Sequence, residues 1–489
     1  MAIDLTQIIK AYDVRGTVPD QFSPEVARAI GAAFARVVVL RAAGGGAADA
    51  ATRPGVVVGH DMRESGPELV AAFAQGLTDA GADVTNIGLC STDGLYHASG
   101  VLNLPGAMFT ASHNPAEYNG IKLCRAGAAP VGQETGLAEV RELAQGYLDG
   151  ELPEPAAEAG TVTERDMLAD YAAFLRGLVD LSGIRPLKVV VDAGNGMGGY
   201  TVPAVLGTGA GLPELPLEIV PLYFELDGSF PNHEANPLEP KNLLDLQAAV
   251  VEHGADIGLA FDGDADRCFV IDERGAAVSP SAVTALVGLR EVEKETAEGR
   301  ESTVIHNLIT SRAVPDFLTA AGATTVRTRV GHSFIKAQMA EHKAVFGGEH
   351  SAHYYFRDFF FADTGMLAAM HVLAALGGQD NPLSALGEMY EPYVSSGEIN
   401  SRVSDVPAAR ARVHEAYVTQ EGAGKVEVDE LDGLTVSHWN DTPQWWFNLR
   451  ASNTEPLLRL NVEAADQDML DKVRDDVLAL VRAQDPEQA

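Results

Sequence analysis

Short apolar runs that stop at Gly or Asp recur along this chain. They are Gly55-Val56-Val57-Val58-Gly59, Lys188-Val189-Val190-Val191-Asp192 and Ile257-Gly258-Leu259-Ala260-Phe261-Asp262. Such runs are too short for helices and apolar on every residue, which suits strands buried on both faces. Helical patterns stand between them, at Glu68–Phe73 and Met167–Leu175. Strand–helix alternation predicts an α/β fold with layered, largely parallel or mixed sheets. Ligands of such sheets sit at the carboxyl ends of the strands, where the Gly and Asp residues fall.

The chain has 489 residues, 46% of them hydrophobic. At about 100–200 residues per domain, three or four domains are expected. Pro153 and Pro155 mark a first boundary within 150–160, a second follows Gly275, and a third lies near 390–398. The expected domains are 1–158, 159–275, 276–392 and 393–489. The last reads as a small α+β unit, with strands at Lys425–Val428, Leu434–Ser437 and Trp445–Leu449 and a closing helix at Gln467–Arg482.

Acidic residues outnumber basic ones 69 to 35, a net charge of -34. That excludes nucleic acid and anionic membrane as natural partners. It also means that an anionic substrate needs a local cluster of Arg and Lys. Cys90, Cys124 and Cys268 form no disulfide framework or metal pair and are expected as buried thiols. The N-terminus lacks a basic and an apolar targeting region, and no apolar run spans a bilayer. A cytoplasmic location is expected, with no obligate protein partner evident.

Two segments carry chemistry. Thr110-Ala111-Ser112-His113-Asn114-Pro115 offers a serine hydroxyl in a polar loop, and Pro115 with Asn119-Gly120 predicts that the loop turns tightly. Asp262-Gly263-Asp264-Ala265-Asp266-Arg267 offers three alternate carboxylates backed by an arginine. Alternate carboxylates suit a hard divalent cation. A serine oxygen beside such a cation can hold and pass on a phosphoryl group. Two other readings of the aspartates fail. An EF-hand needs Gly at the sixth position, where Arg267 stands, and helices on both sides, where Phe261 and Phe269-Val270-Ile271 read as strands. A haloacid-dehalogenase-type phosphatase has Thr or Val at the fifth position, where Asp266 stands. The serine segment is not the G-x-S-x-G elbow of hydrolases. His113 adjoins the serine and is poorly placed as its base, yet it is counted among the candidate catalytic groups.

With these segments stand Lys10-Ala11-Tyr12-Asp13-Val14-Arg15-Gly16, Gly348-Glu349-His350-Ser351-Ala352-His353 and Arg450-Ala451-Ser452-Asn453-Thr454-Glu455-Pro456. In these motifs, and in their order nearly end to end, the chain resembles the alpha-D-phosphohexomutases, most of all the bacterial phosphomannomutase/phosphoglucomutase branch. The resemblance implies three related α/β domains and a distinct C-terminal domain around a central cleft. It implies that Ser112 carries the catalytic phosphate, with Lys122, Arg15, Arg267 and His353 as catalytic groups. Mg²⁺ would be held by Ser112, Asp262, Asp264 and Asp266. Tyr12, His332, Glu349 and Ser351 would meet the sugar phosphate, and Arg450, Ser452, Asn453 and Thr454 would cradle its phosphate. The implied activity is interconversion of hexose 6-phosphate and 1-phosphate, mannose favoured, with a hexose 1,6-bisphosphate as intermediate and activator. Asn453 tilts the substrate away from glucosamine phosphate. His350 and Ala352 depart from the family's usual Met and Gly, and Ala352 disfavours positive φ. The alternatives are a phosphoglucomutase, a phosphoglucosamine mutase or a non-catalytic sugar-phosphate-binding protein. The presence of Ser112, Lys122 and all three aspartates argues against the last.

Overall fold

The computed structural model describes residues 3–10, 12–41, 53–151, 155–419, 425–451 and 457–483, the side chain of His332 excepted. The chain divides into two compact units, Met1–Val278 with Ser351–Ser384, and Ser279–His350 with Ala385–Ala489.

The first unit holds two sheets. In the first, the strand Gly55–His60 is central and runs parallel to both Asp83–Leu89 and Gly106–Phe109. Its residues Val56, Val57 and Val58 are fully buried, as the apolar run requires. Tyr118–Arg125 adds antiparallel to Gly106–Phe109, and Val14–Thr17 adds antiparallel to Tyr118–Arg125. The helices Pro24–Phe34 and Gly66–Asp79 cover this sheet. Ser23 caps the first of them with its side chain on the Val26 N–H. Phe34, Phe73 and Phe109 meet in the core beneath, with Phe73 edge-on to Phe109 at 5.3 Å. Asn119-Gly120 corrects the sequence reading: both lie inside the strand Tyr118–Arg125, not in a turn. Gly120 is there because a Cβ would stand 2.1 Å from the Val14 carbonyl.

The second sheet places Leu187–Asp192 parallel to Leu217–Leu222 and to Ile257–Phe261. Ile257–Phe261 then pairs antiparallel with Cys268–Asp272, so the aspartate segment is the loop of a hairpin between two strands. Residues 351–384 contribute a short antiparallel pair, Tyr354–Phe356 with Ala362–Asp363, and the buried helix Gly365–Gly377.

In the second unit, Thr303–Asn307 runs parallel to Thr324–Thr328 and to Phe346–Gly348. A separate antiparallel sheet has the order Val394–Arg402, Leu457–Ala464, Trp445–Ala451, Leu434–Ser437, Glu427–Asp429. The helix Gln467–Arg482 falls where its apolar spacing placed it, and buries Leu470, Val473, Val477 and Val481. The three cysteines are buried thiols. Among the described residues no helix is long and apolar enough to cross a membrane.

Candidate active site

The serine loop follows the strand Gly106–Phe109, and the aspartate loop follows Ile257–Phe261. Both are therefore at carboxyl ends of strands. Ser112 is only 5% exposed and adopts φ 50°, a left-handed conformation uncommon for a side-chain-bearing residue. Its N–H donates to Thr110 Oγ1 at 2.8 Å, and its Oγ donates to Asp262 Oδ2 at 2.9 Å. The two loops touch through backbone as well. A Cβ on Gly263 would lie 2.4 Å from the Ser112 carbonyl oxygen, so only glycine permits this approach.

The three carboxylates converge because the loop turns on itself. Ala265 stands at φ 59° and its N–H closes on the Asp262 carbonyl at 3.0 Å. Asp262, Asp264 and Asp266 are buried, and one ligand oxygen from each lies within 4.8 Å of the others. Asp264 Oδ1 and Asp266 Oδ1 are buried and accept no hydrogen bond. Buried carboxylate oxygens without donors are costly unless a cation claims them. The all-oxygen set thus fits a hard divalent cation.

Four cationic side chains surround the serine in this otherwise acidic protein. Arg267 donates from Nε to Asp262 Oδ2 at 2.9 Å, from Nη2 to Ser112 Oγ at 3.3 Å and to His113 Nδ1 at 2.6 Å. Lys122 donates to Asp264 Oδ2 at 2.7 Å and to Asp266 Oδ2 at 2.5 Å. Arg15 grips Asn114 Oδ1 and Asp13 Oδ2, each at 2.7 Å. The fourth is Arg63, which the motifs do not single out. It is 2% exposed, and its two terminal nitrogens donate to four carbonyls of the serine loop: Ser112 at 2.9 Å, Asn114 at 2.7 Å, and Pro115 and Tyr118 at 2.8 Å. Its Nε lies 3.3 Å from the buried carboxylate of Asp61. The signal for this pair was present: Asp61 and Arg63 follow directly on the buried strand Gly55–His60, where ligand-facing residues fall.

Burial and charge act against each other here. Burial raises the Asp262 carboxyl, Asp266 and Asp264 add to this, and Arg267 opposes it. Burial disfavours charge on Asp264 and Lys122 alike, but their mutual pairing prevails. Asp264 is held well below the usual carboxylate range and Lys122 well above its ordinary value. His113 is pushed down to about 2 by burial and by Arg267 and Arg15. Its Nδ1 accepts from Arg267.

His353 Nε2 lies 3.8 Å from Asp266 Oδ1, and its Nδ1 is 3.0 Å from Ser351 Oγ. Asp266, His353 and Asp363 form a second group of closely spaced donor atoms. Tyr12 lies half-buried in the bend before Val14–Thr17. Ala352 is fully buried at φ 64°, so the chain keeps there a backbone that alanine resists. In the second unit, Glu349 accepts from Asn307 Nδ2 and from the Gly331 N–H, both at 3.2 Å, and His350 Nδ1 lies 3.0 Å from Ser281 Oγ. Arg450 is the penultimate residue of the strand Trp445–Ala451 and is ion-paired with Glu398. Ser452, Asn453 and Thr454, and the side chain of His332, lie outside the described residues.

Four family models match in order: phosphoglucomutase/phosphomannomutase alpha/beta/alpha domain I over residues 6–147, domain II over 169–275, domain III over 280–393 and the C-terminal domain over 398–480. A phosphomannomutase of Salmonella typhimurium is 39% identical over 464 residues, covering 93% of this chain and 94% of the relative. The phosphohexose mutases of Xanthomonas campestris are 39% identical over 476 residues, covering 97% and 98%. A solved phosphoglucomutase/phosphomannomutase family protein of Burkholderia thailandensis shares 32% identity, covers 98% of each chain and superposes with a TM-score of 0.82. Fold and site together define an isomerase that shifts a phosphoryl group within its substrate. The chain belongs to the phosphoglucomutase/phosphomannomutase family.

Proposed function

We propose that this chain is a phosphomannomutase, interconverting mannose 6-phosphate and mannose 1-phosphate and accepting glucose phosphates as well. The observation that carries the reading is Ser112 Oγ, 2.9 Å from a buried three-aspartate cluster and ringed by Arg15, Arg63, Lys122 and Arg267. In the proposed reaction the P–O bond of phosphorylated Ser112 breaks as a sugar hydroxyl oxygen bonds to phosphorus. His353 is the candidate to take that hydroxyl's proton. The hexose 1,6-bisphosphate so formed returns its other phosphoryl group to Ser112. Lys122, kept charged by Asp264 and Asp266, stabilises the equatorial oxygens during transfer, as does Arg267. Arg63 and Arg15 hold the serine loop in place. Mg²⁺, held by Asp262, Asp264, Asp266 and an oxygen on Ser112, would supply Lewis-acid polarisation of the phosphoryl group. Tyr12, His332, Glu349 and Ser351 are assigned to the sugar, and Arg450 with 452–454 to the phosphate that is not reacting. The proposed domains are 1–158, 159–275, 276–392 and 393–489.

The test is direct. Protein treated with a hexose 1,6-bisphosphate should carry the added phosphate on the peptide holding Ser112. Ser112→Ala should lose nearly all turnover while still binding hexose phosphate. A coupled assay run with mannose 1-phosphate and glucose 1-phosphate side by side separates the mannose reading from a phosphoglucomutase. Full activity in Ser112→Ala would sink the covalent route.

A further inference from the structure

In the second unit, the antiparallel strands Trp445–Ala451 and Leu457–Ala464 set Arg450 directly opposite Arg459. Residues so paired lie on one face with Cβ atoms about 4.5–5.5 Å apart, and like charges there destabilise the pair. An anion between them removes the penalty. Glu398 is that anion: its Oε2 accepts from Arg450 Nη2 at 2.5 Å, and its Oε1 lies 3.4 Å from Arg459 Nη1. Glu398 comes from the neighbouring strand Val394–Arg402, immediately after Gly397 at φ 63°. The register with Leu457–Ala464 shifts between Ser395 and Glu398, a bulge of the kind that re-aims a side chain. The satisfaction is incomplete. The Nε atoms of both arginines are buried with no hydrogen-bond partner. A carboxylate brings one negative charge and two oxygens. A phosphate monoester dianion brings two charges and three oxygens, a better match to two guanidinium groups.

We infer that Glu398 is a displaceable counter-ion for the phosphate subsite. It occupies Arg450 while no phosphate is bound, and Arg459 takes it over when a phosphate monoester dianion claims Arg450. Glu398 and Arg459 are thus positioning residues that act through Arg450, and they set how strongly an anion must compete to enter. This rests on the assignment of Arg450 to phosphate binding made above.

The test uses the full-length protein, with inorganic phosphate as binding probe and the mutase reaction as second readout. Glu398→Gln keeps the shape and removes the competing charge. It should lower the Kd for phosphate and the KM for hexose phosphate by about two- to fivefold with kcat unchanged, the range of a partly exposed ion pair. Glu398→Asp, charged but shorter, should fall between. Arg459→Gln should raise the Kd by a similar factor, because Glu398 then rests on Arg450 alone. In the Glu398→Gln background that effect should vanish. Weaker phosphate binding in Glu398→Gln overturns the inference, since Glu398 would then support the Arg450 fork. An Arg459→Gln effect equal in both backgrounds also overturns it, since Arg459 would then touch phosphate itself. Arg450→Ala separates the two readings. If it leaves phosphate binding unchanged, the assignment of Arg450 fails. If it abolishes binding while Glu398→Gln does not tighten it, only the counter-ion role fails. Trp445 and Trp446 lie on the same strand as Arg450, so their emission reports whether each variant is folded.

Discussion

Arg63→Met should loosen the serine loop more than any other single change outside the reacting groups. The native guanidinium serves four carbonyls within residues 112–118 from a position that is 2% exposed, and it neutralises Asp61. Hydrogen bonds to charged groups are worth about 1.5–3 kcal/mol each. Four of them from one head group do not add, because they share one charge and one desolvation. Removing one partner of a buried ion pair costs about 3–5 kcal/mol. Burial already pushes the Asp61 carboxyl up and Arg63 holds it down. Once Arg63 is gone, Asp61 takes a proton, which caps the electrostatic loss. We expect a total near 4 kcal/mol, or about a 10³-fold rise in local opening. Hydrogen exchange across 110–120 measures that opening, and far-UV circular dichroism in urea measures the cost to the unit. All three tryptophans, Trp439, Trp445 and Trp446, lie in the second unit, so their emission serves as an internal control that should not move. Arg63→Lys should recover part of the loss, since an ammonium is a point charge that reaches fewer carbonyls. Adding Asp61→Asn to Arg63→Met should recover more. Exchange within threefold of native and a stability loss below about 1 kcal/mol in Arg63→Met would refute the reasoning.

Asn at Asp262, Asp264 or Asp266 should each raise the Mg²⁺ concentration for half-maximal activity by more than the about 10–100-fold seen for outer-sphere partners; full activity after exhaustive chelation contradicts the metal assignment. Ala352→Gly relieves a left-handed alanine worth about 1–2 kcal/mol, offset by about 0.5–1 kcal/mol of unfolded-chain entropy. A small rise in Tm is expected, and a fall would mean that the buried methyl packs better than its backbone is strained. His97 lies 1% exposed between Tyr171 and Phe174 with both ring nitrogens lacking hydrogen bonds. Burial lowers it to about 4, with Asp170 pulling weakly the other way. Its folded value is below its unfolded one, so its contribution is present above about pH 6.5 and lost as pH falls toward 4. His97→Phe should flatten the stability profile across that window; an unchanged slope in urea titrations at pH 6.5 and 4.5 would count against it.

The sequence by itself determined the strands Gly55–His60, Leu187–Asp192 and Ile257–Phe261, the closing helix, and the three closely spaced carboxylates that follow the last of these strands. These were legible because apolar period and carboxylate spacing are local properties, and hydrophobic burial enforces them wherever they occur. Asn119-Gly120 misled because a local turn signal was overridden: the backbone of Val14–Thr17 needed a residue with no Cβ beside it. The place of Arg63 just after a buried strand is a local signal, but its role is not legible there: its four partners lie 49 to 55 residues away, and no spacing rule links a guanidinium to carbonyls of a loop it meets only after folding. The opposed Arg450 and Arg459, and the Glu398 between them, have the same origin in strand register. Register is a pairing of distant segments, and a single bulge between Ser395 and Glu398 decided which side chain faced the two arginines. Only the tertiary structure could bring together these charges, because what holds them is mutual pairing in a space that water has left, and that space does not exist along the chain.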